Sequence, residues 1–224
     1  MNRRVFLFSA AAIFYFAPGS CASENTAGTE LRSLDKDAFE ETLNERISSI
    51  HDLSFGFTQV TYAAGSTQTV KAEVFFNRPG SIRVNYKLPR KQEIIYTEET
   101  LYTYIPAINQ ATRQRREDIT DILGAAPSVI FSTGAFTRLR KEFDITVSGS
   151  DELLRFEAVP LVERGYDRLR VELCAESFLP LRSDVKAVSL VSETEFEDYR
   201  INTGLDEDIF RFHPPPGTGV IELD

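Results

Sequence analysis

The chain has 224 residues, with 25 Lys and Arg against 34 Asp and Glu, a net charge of −9. That acidic balance excludes nucleic acid and anionic membrane surfaces as main partners. Two cysteines in the whole chain offer no thiolate metal site and no redox motif.

Asn2, Arg3 and Arg4 precede an apolar run from Val5 to Ala17 that Pro18 and Gly19 break. A charged start, an apolar stretch too short to span a bilayer and small residues after it predict a secretory signal peptide over 1–22, cleaved after Ala22. The mature protein is then exported. Cys21 opens an alternative, the acylated first residue of a lipoprotein, although Pro18 stands where such signals usually place an aliphatic residue. Cleavage after Ala22 removes Cys21 and leaves Cys174 without a partner, which predicts a fold with no intramolecular disulfide. It also leaves 23 basic against 34 acidic residues, a net −11 over 202 residues. That length suits one domain with a sizeable core or an enclosed cavity.

Ser23 to Arg32 is small and polar, a flexible leader to a single domain over 33–224. Asp35 can cap a helix to about Ile50, in which Phe39, Leu43, Ile47 and Ile50 share one face and Glu40, Glu41, Asn44 and Glu45 lie largely on the other. From Leu53 the apolar period changes to two. Phe55 and Phe57 share a face with Leu53, Gly65 turns the chain, and strands are predicted at Val70–Arg78 and Ile82–Leu88. Further short strands follow at Glu93–Thr97, Thr100–Ile105 and Ala111–Glu117.

Between Asp118 and Arg140 the alternation stops. Ile119, Ile122 and Leu123 have helical spacing, Gly124 and Pro127 interrupt, and Val129, Ile130 and Phe131 follow. Such a segment is a helix covering the sheet or a mobile lid, and Phe136 and Leu139 add one more helical turn. Strands resume at Phe143–Val147, Leu153–Val159, Asp167–Cys174, Pro180–Val188, Ser192–Ile201 and Ile209–Phe212. Pro214 to Gly217 stops the sheet. Ten or eleven strands without βαβ spacing predict one strongly curved antiparallel sheet or barrel. The 17 Phe and 8 Tyr suit a large apolar interior, as they would any β core.

Phe75 to Pro89, FFNRPGSIRVNYKLP, reads as two strands meeting at a tight turn. Val70, Ala72, Val74 and Phe76 occupy one face of the first strand, and Arg78 continues it. An arginine there either snorkels to water or reaches into an apolar interior, where its five donors need carbonyls or a ligand.

Catalytic patterns are weak. His51 and His213 sit in no nucleophile or metal-ligand spacing. Glu193, Glu195 and Glu197 share a strand face, a glycosidase pair at the sharpest and a solvated outer face by default. Arg113, Arg115 and Arg116 beside Glu117 and Asp118 predict a salt-bridged surface strand. These readings predict a protein that is not an enzyme and binds no metal or cofactor.

R-P-G-x-I-R-V-x-Y-x-x-P from Arg78 to Pro89 resembles the signature turn of the LolA family of periplasmic outer-membrane lipoprotein carriers. Phe57, Thr58 and Gln59 are similar to its F-x-Q, Leu101 to Tyr104 to its L-W-x-Y strand, and Phe210, Phe212 and Pro214 to Val220 to its closing segment. Val84 and Tyr102 stand where tryptophan is common, and Glu98 and Glu99 where Asp-Gly is, which marks a distant member.

The resemblance implies a mainly β fold with helices: an incomplete, strongly curved antiparallel β-barrel with an N-terminal helix and a helical lid. It implies an acyl-chain cavity lined by Phe55, Phe57, Val74, Phe76, Ile82 and Val84, and a lid containing Ile119, Ile122, Leu123, Val129, Ile130 and Phe131. Arg78 would latch that lid by reaching its carbonyls. The implied role is a monomeric periplasmic chaperone that carries acylated lipoproteins from an inner-membrane lipoprotein-releasing ABC transporter to an outer-membrane lipoprotein acceptor. An anchored acceptor of the same fold and a periplasmic lipid shuttle or sensor are the alternatives.

Overall fold

In the computed structural model the described residues are 31–78, 80–97, 99–115, 135–162 and 165–223. The expected signal peptide, residues 23–30 of the leader and the lid residues Ile119, Ile122, Leu123, Val129, Ile130 and Phe131 lie outside them.

Asp35 caps helix α1 (Lys36–Ser48) as its spacing predicts, its Oδ1 accepting from the backbone N–H groups of Asp37 and Ala38 at 3.0 and 2.8 Å. Phe39, Leu43 and Ile47 then fall on one buried stripe. The strands among the described residues are β1 (Arg32–Ser33), β2 (Asp52–Ala63), β3 (Ser66–Asn77), β4 (Ser81–Leu88), β5 (Gln92–Tyr96), β6 (Thr100–Ile105) and β7 (Gln110–Arg115), followed by helix α2 (Ala135–Glu142). Then come β8 (Phe143–Gly149), β9 (Leu153–Pro160), β10 (Tyr166–Cys174), β11 (Pro180–Ala187), β12 (Leu190–Ile201) and β13 (Gly219–Leu223).

All of these strands join one sheet in the order β1-β8-β9-β10-β11-β12-β2-β3-β4-β5-β6-β7-β13. Within β2 to β7 and within β8 to β12, chain neighbours pair as antiparallel hairpins, and the pairing of β12 with β2 joins the two runs. β1 and β13 remain as separate edges, so the curved sheet is an open, incomplete barrel.

Two apolar clusters occupy the concave face. α1 and α2 cover the β8 to β10 half, where Phe39, Phe136, Phe156, Val171 and Leu173 are buried together. The Phe39 and Phe136 rings lie 5.3 Å apart, and Arg140 of α2 bridges Asp37 and Glu40 of α1 at 2.5 and 2.9 Å. The second cluster belongs to β2 through β5 and includes Leu53, Phe55, Val74, Val84 and Tyr96.

Several expectations need correction. Ile209–Phe212 is not a strand: Glu207–Phe210 forms a 3-10 turn capped by Asp206, whose Oδ1 accepts from Asp208 N–H at 2.9 Å. The apolar alternation there mimicked a strand, while the Asp206 cap selected the turn. Pro214 to Gly217 does not stop the sheet, because β13 follows and pairs with β7 in parallel, the one departure from antiparallel order among the described residues. Arg32, expected in the flexible leader, pairs with Gly149 in the short edge strand β1. Cys174 is buried and disulfide-bonded, so a fold without a disulfide is not what the whole chain adopts; the other cysteine, Cys21, lies outside the described residues.

Candidate functional site

Residues directly opposite one another on antiparallel strands share a face, so the register builds the concave surface row by row. One row is Leu53, Phe76, Ile82 and Tyr96, and the next is Phe55, Val74, Val84 and Ile94. Phe57, Ala72 and Tyr86 form a third. The structure thus brings Phe55, Phe57, Val74, Phe76, Ile82 and Val84 into one apolar cluster, with Phe76 partly buried and the others buried. From β12, Phe196 meets the edge of Phe55 at 6.0 Å and Tyr199 stacks on it at 5.4 Å. The Tyr199 hydroxyl donates to the Pro180 carbonyl at 2.7 Å, and burial raises its pKa well above the usual tyrosine value.

At one end of this surface stands Arg78. Its Nε donates to the Ile50 carbonyl at 2.7 Å and its Nη2 to the Ile47 carbonyl at 2.6 Å, while its backbone N–H donates to the His51 carbonyl at 2.9 Å. The last carbonyls of a helix lack intrahelical donors and carry partial negative charge, so a guanidinium there satisfies both. Arg78 therefore does not simply snorkel. The partners it has among the described residues are α1 and the turn after it, whereas the anticipated lid partners lie outside those residues.

At the opposite end, Gln68, Val70, Tyr86, Leu88, Pro89, Arg90 and Gln92 line an open cleft of about 550 Å³. Burial raises the pKa of Tyr86 in its wall. The apolar face thus runs from Arg78 to a mouth that is partly polar.

The second arginine of the same hairpin was not singled out from sequence. Arg83 lies on the opposite, convex face, where its Nη1 donates to the Ile209 carbonyl at 2.9 Å and its Nη2 to Glu93 Oε2 at 2.7 Å. It holds the 3-10 turn against the sheet, next to Phe212, whose ring stacks on Tyr102 at 5.2 Å. Strand parity carried part of this signal, since Arg83 alternates with Ile82 and Val84. Its partner Ile209 lies 126 residues away and left no local trace.

The catalytic candidates are surface features. Glu193, Glu195 and Glu197 are exposed on the outer face, with Arg182 bridging Glu195 at 3.0 Å. His213 is exposed beside Asp208 at 3.1 Å, and His51 is exposed after α1. Arg113 reaches Glu222 of β13 at 3.4 Å, an ion pair of the kind expected for that strand though with another partner. No cluster of three metal-ligating side chains occurs among the described residues.

Known proteins place this geometry in context. The chain is 25% identical over 198 residues to an outer-membrane lipoprotein carrier protein of Pseudomonas paraeruginosa, covering 87% of this chain and 93% of that one. It is 25% identical over 227 residues to the protein of the same description from Coxiella burnetii, covering 99% and 100%. A crystal structure of an uncharacterized conserved protein from Thermus thermophilus shares the fold with a TM-score of 0.57 at 11% identity, over 82% of this chain and 98% of that one. The sequence model of the family described as "Outer membrane lipoprotein carrier protein LolA" matches residues 48–213, from the end of α1 to just past the 3-10 turn, and the chain belongs to this family.

Proposed function

We propose that this protein is a periplasmic carrier that shelters the acyl chains of lipoproteins on its concave face and shuttles them from the inner to the outer membrane. The observation that carries the reading is the continuous apolar face from Leu53 to Tyr96, bounded at one end by Arg78 with its bonds to the Ile47 and Ile50 carbonyls and open at the other into a cleft, in a chain whose relatives are named lipoprotein carriers. Its donor is an inner-membrane lipoprotein-releasing ABC transporter and its acceptor an outer-membrane lipoprotein receptor. The protein works as a monomer and catalyses no reaction.

Each acyl methylene removed from water contributes about 0.8 kcal/mol, so a lipoprotein with several chains needs such a shelter to cross an aqueous compartment. Release is the harder requirement. Contacts that exist only in the empty, closed state, such as those of Arg78 to the α1 carbonyls, lower net cargo affinity by their own free energy. The segment from Asp118 to Phe131, with Ile119, Ile122, Leu123, Val129, Ile130 and Phe131, acts as the lid. Transfer then runs downhill to a tighter acceptor without nucleotide.

Native mass spectrometry tests this on mature protein isolated without detergent after lipoproteins are released from spheroplasts in its presence. A one-to-one adduct with an acylated protein is expected. A free-lipid adduct would replace the reading with a lipid shuttle, and no adduct under saturating release would overturn it.

A further inference from the structure

The concave face is not apolar throughout. Ser183 of β11 lies opposite Thr194 of β12, which lies opposite Gln59 of β2; Ser192 lies opposite Thr61, which lies opposite Gln68 of β3. These side chains form a contiguous neutral, hydrogen-bonding strip between the two apolar clusters. The rows that contain it are flanked by Val171 and Val70 on one line and by Val185 and Leu169 on the next. Through Gln68 the strip reaches the cleft. No charged residue occupies this face within β11, β12, β2 or β3.

Ser183, Ser192 and Thr194 are 1%, 7% and 6% exposed, in a place where valine would fit a half-buried strand equally well. Two internal contacts exist: Gln59 Nε2 donates to Thr194 Oγ1 at 3.4 Å, and the Thr61 and Ser192 hydroxyls are 3.1 Å apart. The Ser183 hydroxyl has no partner among the described residues. A buried hydroxyl without a hydrogen bond is costly, and cross-strand pairing does not account for it. An acceptor brought by a ligand would.

We infer that the strip of Ser183, Ser192, Thr194, Gln59 and Thr61 is a subsite for the uncharged ester or amide carbonyls that join acyl chains to their head group. Hydroxyls and a carboxamide suit a neutral carbonyl, whereas a phosphate or carboxylate would call for guanidinium or ammonium groups, which β11, β12, β2 and β3 do not place on this face and which stand only at its ends, as Arg78 and Arg90. The strip fixes the depth to which a cargo enters: chains extend over the β2 to β5 cluster, and the linkage stops at the hydroxyls. This inference rests on the carrier reading and specifies what that carrier recognises.

The test compares a short-chain diacylglycerol, its carbonyls labelled with carbon-13, with the dialkyl ether of equal chain length, both titrated into the mature protein. The diester is expected to bind about fivefold more tightly for each carbonyl that gains a hydrogen bond, and its labelled carbonyl band to shift to lower frequency on binding. In Ser183→Ala and Thr194→Val the preference is expected to fall towards one with ether binding retained. Equal binding of diester and ether by the wild-type protein, with an unshifted carbonyl band, would overturn the subsite and leave the carrier intact. Binding of neither probe would overturn both, and the wild-type comparison decides even if a variant does not fold.

Discussion

Arg78 and Ile47 are joined by a 2.6 Å hydrogen bond from a guanidinium at the tip of a hairpin to a carbonyl in the last turn of α1. Arg83, five residues on, makes the same kind of bond to the Ile209 carbonyl, on the other face of the sheet. One hairpin thereby fastens a helix end to each side of the sheet, and the two attachments have separable consequences.

Arg78→Leu is expected to keep the fold but lose about 2–4 kcal/mol, since two charge-assisted bonds vanish while the carbonyls they served can turn to water. Thermal unfolding should fall by about 5–10 °C. With the closed state weakened, bound lipid should be held longer and handed on more slowly. Lysine should restore the charge but not the fork that reaches two carbonyls at once. Transfer by the leucine variant at the wild-type rate would remove Arg78 from the release mechanism.

Arg83→Ala should act on the convex side alone. Hydrogen exchange is expected to accelerate at Asp208 to Phe212, where the 3-10 turn loses its anchor, at a cost of about 1.5–3 kcal/mol. Ligand affinity on the concave face should be unchanged. Exchange spreading to Leu53 or Val84 would show that the two faces are coupled.

Asp52, only 9% exposed, accepts from Thr203 N–H at 2.9 Å and Gly204 N–H at 3.0 Å. Asn202 completes the joint, its Oδ1 accepting from His51 N–H at 2.7 Å and its Nδ2 donating to the Ser49 carbonyl at 3.0 Å. This joint ties the end of β12 to the segment between α1 and β2. Asp52→Ala leaves those amides unpaired and should cost about 2–4 kcal/mol. Denaturant titration should find Asp52→Asn, which retains one acceptor, between the two.

Asp184 supplies a pH dependence. Partial burial raises its carboxyl pKa, and the charge of Arg170 offsets this only in part. Between the unfolded value, about 3.9, and the raised folded value, the native state holds more protons than the unfolded state. Stability contributed by this group is therefore lost as pH rises through that window. Asp184→Asn should raise the melting temperature slightly at pH 7 and leave it unchanged near pH 3. A variant less stable than wild type at pH 7 would mean that the carboxylate has a favourable partner in the native state.

The local elements were legible because they depend on local physics. Asp35 caps α1 through amides two and three residues away, and alternation along Val70 to Phe76 is a consequence of the pleat itself. The shared apolar face from Phe55 to Val84 followed from the same parity, because the hairpins β2-β3 and β3-β4 keep an unbroken register across that stretch.

What sequence periodicity did not contain was the choice of partner. Ile209 to Phe212 has the alternation of a strand, yet its backbone is claimed by the Asp206 cap and the Arg83 guanidinium. Val220 to Leu223 follows a proline and glycine break and still pairs with β7 in parallel, a match no hairpin signal could announce. The hydroxyls of Ser183 and Thr194 belong to separate strands, and they become one polar strip once β11 and β12 settle into register. By itself the sequence determined the hairpin strands from β2 to β12, the apolar faces of β2 to β4, the capped helix and the family, because each follows from spacing or motif. The tertiary structure alone decided what each arginine holds and where the apolar face turns polar, because both depend on contacts between segments far apart in the chain.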